Sequence, residues 1–183
     1  MFFIPASALL IVPPADLCDH IDVWRRRFDP HSEWIPPHIT LAYPPFASVD
    51  QWPVMCLGIT ELVGPIQPFE ITLDGVGITS GIPQVLWLHA REDGGLSRLR
   101  GLLETRFPAL VQPLPDGYTP HLTVGQFEED APLAAARVEL EAGWKPLHFE
   151  VDRLFFAVQT PDRRWQMRDF VRLGCPDCRD CPD

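Results

Sequence analysis

The sequence predicts a mixed α and β fold assembled from a duplicated αβ unit, and three observations carry that prediction. The segment Pro37-His38-Ile39-Thr40 returns as Pro120-His121-Leu122-Thr123, 83 residues later, each time after a strand and a helix. Phe69-Glu70 opens a strand after the first unit and Phe149-Glu150 opens one after the second, 80 residues later. Matching offsets from independent landmarks indicate duplication. Proline makes up 21 of 183 residues, about 11% and roughly twice ordinary usage. Such a chain has short helices and bounded strands, which excludes a long coiled coil or a helical bundle.

The elements follow in order. An apolar segment at about 3–12 reads as a first strand, ended by Pro13-Pro14. Leu17, Ile21, Trp24 and Phe28 recur at helical spacing, with Asp19, Asp22, Arg25 and Arg26 on other faces. Pro36-Pro37 closes the next loop, and His38 to Tyr43 reads as a strand. Ser48 and Gln51 form a capping-box pattern ahead of a helix with the stripe Trp52, Met55, Ile59 and Leu62. Phe69, Ile71 and Leu73 alternate with polar residues as in a half-buried strand, and Val85 to Ala90 is a more continuously apolar one. Leu96, Leu99, Leu103 and Phe107 mark a helix, Pro120 to Phe127 a strand, and about 131–141 a short Ala-rich helix. Two last strands, roughly 148–159 and 164–173, form a hairpin around Thr160-Pro161-Asp162-Arg163.

Composition narrows the function. Apolar residues at 46% and charged residues at 22% describe an ordinary soluble domain. A net charge of −10 argues against a protein that coats DNA or long RNA, because such binding rests on neutralising phosphates. A small phosphorylated ligand in a local pocket stays open. Prolines break every apolar run short of the ~20 residues that a membrane span needs. Met1 to Val12 lacks a basic start and reads as a strand, with a signal peptide as the minority alternative. Cys18 and Cys56 sit among apolar residues and read as buried, reduced thiols of a cytoplasmic protein.

The chemistry lies in the two repeated segments. In each, histidine and threonine stand two apart on a strand, so both side chains point to one face while Ile39 and Leu41, or Leu122 and Val124, point into the core. Duplication can bring the two strands together, giving one cleft lined by His38, Thr40, His121 and Thr123. One neutral imidazole can then take a proton from an attacking oxygen while one imidazolium gives a proton to the leaving oxygen. The hydroxyls can hydrogen-bond the non-bridging phosphate oxygens. A single His-x-Thr strand is more often structural; two copies at repeat-related positions point to a site.

Pro37-His38-Ile39-Thr40-Leu41 and Pro120-His121-Leu122-Thr123-Val124 resemble the signature motifs of the 2H phosphoesterase superfamily, which includes the 2′-5′ RNA ligase-like proteins and 2′,3′-cyclic nucleotide phosphodiesterases. The resemblance runs from about Phe2 to Leu173. It implies a bilobal α+β fold of duplicated αβ units, with antiparallel-rich sheets around a central groove. It also implies an enzyme without metal or other cofactor, with His38 and His121 as the acid–base pair and Thr40 and Thr123 on the phosphate. Substrates of this family are cyclic phosphates, 2′-5′ linkages or RNA 3′ ends. The acidic charge favours a nucleotide or short RNA terminus over a long RNA partner.

Other residues are weaker candidates. Tyr43, Phe46, Tyr118 and Phe127 flank the motifs and could stack a base, and Arg163 with Arg164 could supply a cation near the groove. His20, His31, His89 and His148 lack motif context and read as surface or core histidines. Residues 1–173 read as one bilobal, monomeric domain and 174–183 as a flexible tail. Its Cys175, Cys178 and Cys181 fall one ligand short of a structural zinc site. Alternatives are a non-catalytic nucleotide or RNA-end binder using the same groove, and an interaction module dependent on the tail thiols.

Overall fold

The computed structural model describes residues 6–175. β1 (Ser7–Ile11), α1 (Ala15–Phe28), β2 (Ile39–Ala42) and α2 (Trp52–Val63) form the first unit. β3 (Phe69–Thr79) follows, and then the second unit of β4 (Gln84–Arg91), α3 (Gly95–Arg106), β5 (His121–Phe127) and α4 (Asp130–Gly143). β6 (Leu147–Val151), β7 (Arg153–Gln159) and β8 (Trp165–Arg172) end the described chain.

The strands make one antiparallel sheet in the order β6-β3-β4-β5-β2-β1-β7-β8. Asp152 alone separates β6 from β7, yet these strands stand near opposite ends of that order. Both facts hold only if the sheet curls round on itself, so the fold has two lobes that face each other. At the β5–β2 seam Ile39 pairs with Leu122, residues 83 apart, and at the β3–β6 contact Glu70 pairs with Glu150, residues 80 apart. Repeat-equivalent residues therefore meet each other at both contacts, as they must along a pseudo-two-fold axis.

Alternation decides which face is core. Leu86, Leu88 and Ala90 on β4, Leu122 and Val124 on β5, and Ile39 and Leu41 on β2 are fully buried under the helices. Each larger aliphatic among them contributes about 1.5–3 kcal/mol on burial. α1 and α4 pack on β5 and its neighbours, α3 on β2 and α2 on β8. The other face of the curled sheet carries the partly buried residues of the same strands, and it forms the groove.

Local chemistry fixes several ends. The Ser48 amide donates to Gln51 Oε1 at 2.9 Å and the Gln51 amide to Ser48 Oγ at 3.2 Å, the reciprocal box that the sequence predicts ahead of α2. Trp52 then stacks on Phe156 at 4.1 Å and donates its indole N–H to Asp169. In the β7–β8 turn, Arg163 takes φ 67°.

Three expectations need correction. The strand expected at 148–159 is two strands, because the chain breaks at Asp152 to leave β3 and join β1. β3 runs on to Thr79 past Gly75 and Gly77, where the loss of apolar alternation hid it. Arg25, expected on an outer face of α1, is 1% exposed, and its guanidinium bonds Asp29 and Asp22. Cys18 and Cys56 are half-buried and outside any disulfide, while Cys175 is disulfide-bonded. Cys178, Cys181 and most of the tail lie outside the described residues, as do residues 3–5 of the expected first strand. Among the described residues no helix is long and apolar enough to cross a membrane.

Candidate active site

The seam between the lobes sets the site. Because Ile39 faces Leu122 on an antiparallel ladder, His38 stands across from Thr123 and Thr40 across from His121. All four point to the face opposite the buried Ile39 and Leu122, which is the groove. The two histidines are thus diagonal neighbours, a relation that puts residues about 7–8 Å apart with their Cβ atoms somewhat closer. Pro37 and Pro120, each just before a histidine, are both buried.

The two rings are held alike. Nδ1 of His38 donates to the Pro36 carbonyl at 2.8 Å, and Nδ1 of His121 donates to the Thr119 carbonyl at 2.8 Å. A carbonyl oxygen only accepts, so in each neutral ring the proton sits on Nδ1 and Nε2 is left as the basic atom. Protonation turns the same Nε2 into a donor. Either ring can therefore serve as base or acid without turning over.

Burial separates the pair electrostatically. Loss of solvation pushes the His38 imidazole down to about 4; the bond to Pro36 opposes this, and the charge of Arg25 adds to the fall. His121 is also lowered, chiefly by burial and further by His89, against the pull of the Thr119 carbonyl. The charge of His121 reaches His38 as well. A site needing one neutral and one protonated ring should therefore show a bell-shaped kcat/KM with its optimum on the acid side of 6.5, the ordinary imidazole value. Its acid limb should lie near 4, and activity should fall as pH rises and His121 loses its proton. A bound phosphate anion favours protonation of both rings, so the kcat profile should shift upward. The same burial predicts that the folded chain loses stability as pH falls from about 6.5 to about 4, because unfolded imidazoles take up protons that the folded ones resist.

The segment carrying His38 and Thr40 is anchored from behind. Arg25 donates to the Ile35 carbonyl at 3.0 Å, Arg100 to the Leu41 carbonyl at 2.6 Å, and the Tyr118 hydroxyl to the Thr40 carbonyl at 3.0 Å. Of the aromatics expected to stack a base, Tyr118 is thus occupied in bracing β2, with Arg100 over its ring. Phe46 is 1% exposed within the core, so it offers no ring face to a ligand. Phe127 packs beside Phe28, and Tyr43 lines a cavity of about 370 Å³ with Pro44, Pro45, Arg100 and the 109–114 segment. Arg163 lies over Trp34, and Arg164 donates to the Glu33 carbonyl, so together they tie the β7–β8 turn to the loop before His38.

Two residues on the groove face had no signal as motifs. Trp87 pairs with Thr123 and His89 with His121 across β4 and β5. The Trp87 ring centre is 5.4 Å from His121 and 6.2 Å from His89. Strand alternation could have found them, since Leu86, Leu88 and Ala90 point inward and leave Trp87, His89 and Arg91 on the groove side. Among the described residues no group of three or more His, Cys, Asp or Glu side chains is placed to hold a metal ion.

Known proteins share this architecture. Escherichia coli LigT, in a crystal structure complexed with 3′-AMP, aligns with a TM-score of 0.64 at 20% identity, over 92% of this chain and 98% of LigT. TT0787 of Thermus thermophilus gives 0.65 at 17%, over 93% and 98%. Kluyveromyces marxianus Usb1 gives 0.55 at 14%, over 92% and 98%. A Bacillus cereus protein, whose name places it among the phosphoesterases and gives no substrate, is 27% identical over 168 residues, 91% of this chain and 95% of that one. The model of the 2′-5′ RNA ligase superfamily matches residues 13–163. With that match spanning both motifs, the chain belongs to the 2′-5′ RNA ligase superfamily, and so to the 2H phosphoesterases that its paired motifs resemble.

Proposed function

We propose that this protein is a metal-independent phosphodiesterase that opens a 2′,3′-cyclic phosphate, or a related phosphodiester at a nucleotide or RNA end. The observation that carries this is the diagonal of two equally tethered imidazoles across the β2–β5 seam, each facing the other motif's threonine. His38, the more strongly deprotonated ring, acts as base, and Nε2 takes a proton from water as its oxygen attacks phosphorus. His121 acts as acid, and its Nε2–H protonates the ribose oxygen as the P–O bond breaks. Thr40 and Thr123 hydroxyls donate to the non-bridging oxygens, where charge builds in the transition state. The product is a nucleoside monophosphate. His38 has gained a proton and His121 has lost one, so exchange with solvent resets the pair.

The names of relatives support the phosphoesterase class, and the LigT complexes with 3′-AMP, ATP and NADP+ support a nucleotide ligand. Both histidines come from one chain, which supports a monomer with a complete site. The reduced Cys18 and Cys56 favour a cytoplasmic setting, against which stands the disulfide at Cys175. Residues 1–173 form the working domain in this reading, and the tail is dispensable.

The test is turnover of nucleoside 2′,3′-cyclic phosphates in excess chelator, with binding of 3′-AMP measured alongside. Product formation unchanged by chelator is expected. Activity abolished by chelator and restored by zinc contradicts the mechanism, and 3′-AMP binding with no turnover of any cyclic nucleotide or 2′-5′ oligonucleotide indicates a binder instead.

A further inference from the structure

The groove has an aromatic wall that the acid–base chemistry does not use. Trp87 lies over Gly77, its cross-strand partner on β3, so closely that a methyl group there would fall 2.2–2.5 Å from the ring atoms. Glycine is what lets the indole settle against the sheet. The indole N–H donates to Thr79 Oγ1 at 3.0 Å, which fixes the ring in its plane. His121 and His89 both meet the indole at 44° rather than stacking flat on it, and the indole is half-buried, not sealed. Next to it stands His89, directly across from His121, and no hydrogen bond within the described protein holds its ring.

Three aromatic rings of the facing lobe already have partners. Phe170 carries the guanidiniums of Arg153 and Arg172 at 5.1 and 5.5 Å, and Trp34 carries Arg163. Trp165 packs into the small apolar cluster of Ala8, Leu10 and Ala157. On the lobe opposite His121 those rings are covered by guanidiniums or packed into the apolar cluster, while on β4 a pre-oriented indole and an imidazole with no hydrogen bond among the described residues adjoin the reacting centre.

We propose that Trp87 and His89 form the nucleobase subsite of this groove, with the base stacked on the indole and His89 hydrogen-bonding the base edge or ribose. This rests on the phosphodiesterase reading above and adds to it the two side chains that recognise the base, so that a cyclic phosphate borne by a nucleoside is preferred over that of a base-free diol. It also fixes the polarity of the substrate, with the nucleoside on the β4 side, so that His121 faces the ribose oxygen that leaves.

The experiment compares kcat/KM for adenosine 2′,3′-cyclic phosphate with that for the base-free cyclic phosphate of ethylene glycol. The ratio of the two cancels any general damage to the site. Trp87→Leu should lower the ratio about 5- to 100-fold, the range that loss of one base stack gives, chiefly through KM, and Trp87→Phe should restore most of it. Gly77→Ala, which displaces the indole without removing it, should lower the ratio in the same direction. His89→Phe should lower it by about 2- to 10-fold, as for one neutral hydrogen bond. A ratio unchanged in Trp87→Leu overturns the subsite. If the wild type opens neither of these nor any other cyclic nucleotide or 2′-5′ oligonucleotide, the phosphodiesterase reading fails. Calorimetry with 3′-AMP and inorganic phosphate then decides the subsite alone: selective loss of 3′-AMP affinity in Trp87→Leu upholds it, and equal loss for both probes overturns it.

Discussion

His38→Ala and His121→Ala should each lower kcat/KM for a 2′,3′-cyclic nucleotide by about 10²- to 10⁴-fold, the range for loss of one acid or base. The fold should survive, because both rings lie on the groove face and neither belongs to the buried cluster under the helices. The double variant should fall little further than the worse single one, since acid and base act in one step and their losses do not add. The two single variants should differ in pH dependence. Without His38 the acid limb near 4 disappears, and without His121 the fall toward alkaline pH disappears. Thr40→Ala and Thr123→Ala should cost less than the histidines lose together, on the order of 2–4 kcal/mol each in transition-state stabilisation. Steady-state rates across pH 4–9, with circular dichroism as a fold control, check the whole set.

Arg25→Ala is expected to be the most destabilising single change near the site. The guanidinium is 1% exposed and bonds Asp29 at 2.9 and 3.2 Å, Asp22 at 3.0 Å and the Ile35 carbonyl at 3.0 Å. Its removal leaves the Asp29 carboxylate, 5% exposed, without its cation. Breaking a buried pair in this way costs about 3–5 kcal/mol, a large share of the roughly 5–15 kcal/mol that holds a domain together. Denaturant titration should show that loss, and pairing the change with Asp29→Leu should recover part of it by removing the stranded charge. The variant also frees the Ile35 carbonyl and takes a positive charge from beside His38. The His38 imidazole should therefore hold its proton to higher pH, and the acid limb of the rate profile should move up with it. A variant as stable as the wild type would show that the network carries no net stability.

The motifs were legible because strand geometry turns a two-residue spacing into a shared face, and because the chain repeats them. Pro37-His38-Ile39-Thr40 and Pro120-His121-Leu122-Thr123 therefore announce both the cleft and its symmetry. The register could not be read, since strand pairing is decided by long-range contacts, and only the pairing of Ile39 with Leu122 sets each histidine across from the other motif's threonine. The break at Asp152 was hidden for the same reason: Leu147 to Gln159 alternates well enough to pass for one strand, and the sheet's closure splits it. Arg25 was misplaced because charge suggests solvent, while its position four residues after Ile21 puts it on the buried stripe of α1. Tyr43, Phe46, Tyr118 and Phe127 were visible because they lie beside the motifs along the chain, whereas Trp87 comes beside Thr123 and His121 only across the sheet.

The central claim is that one phosphorus is served by both imidazoles at once. Titrating inorganic phosphate into protein labelled with ¹⁵N-histidine, and following the Nε2 resonances of His38 and His121 by NMR, tests it most directly. Both resonances should move together along a single binding curve, and His38→Ala should weaken the response of His121. Movement of only one ring, or of each with its own affinity, would mean that the two motifs face separate sites.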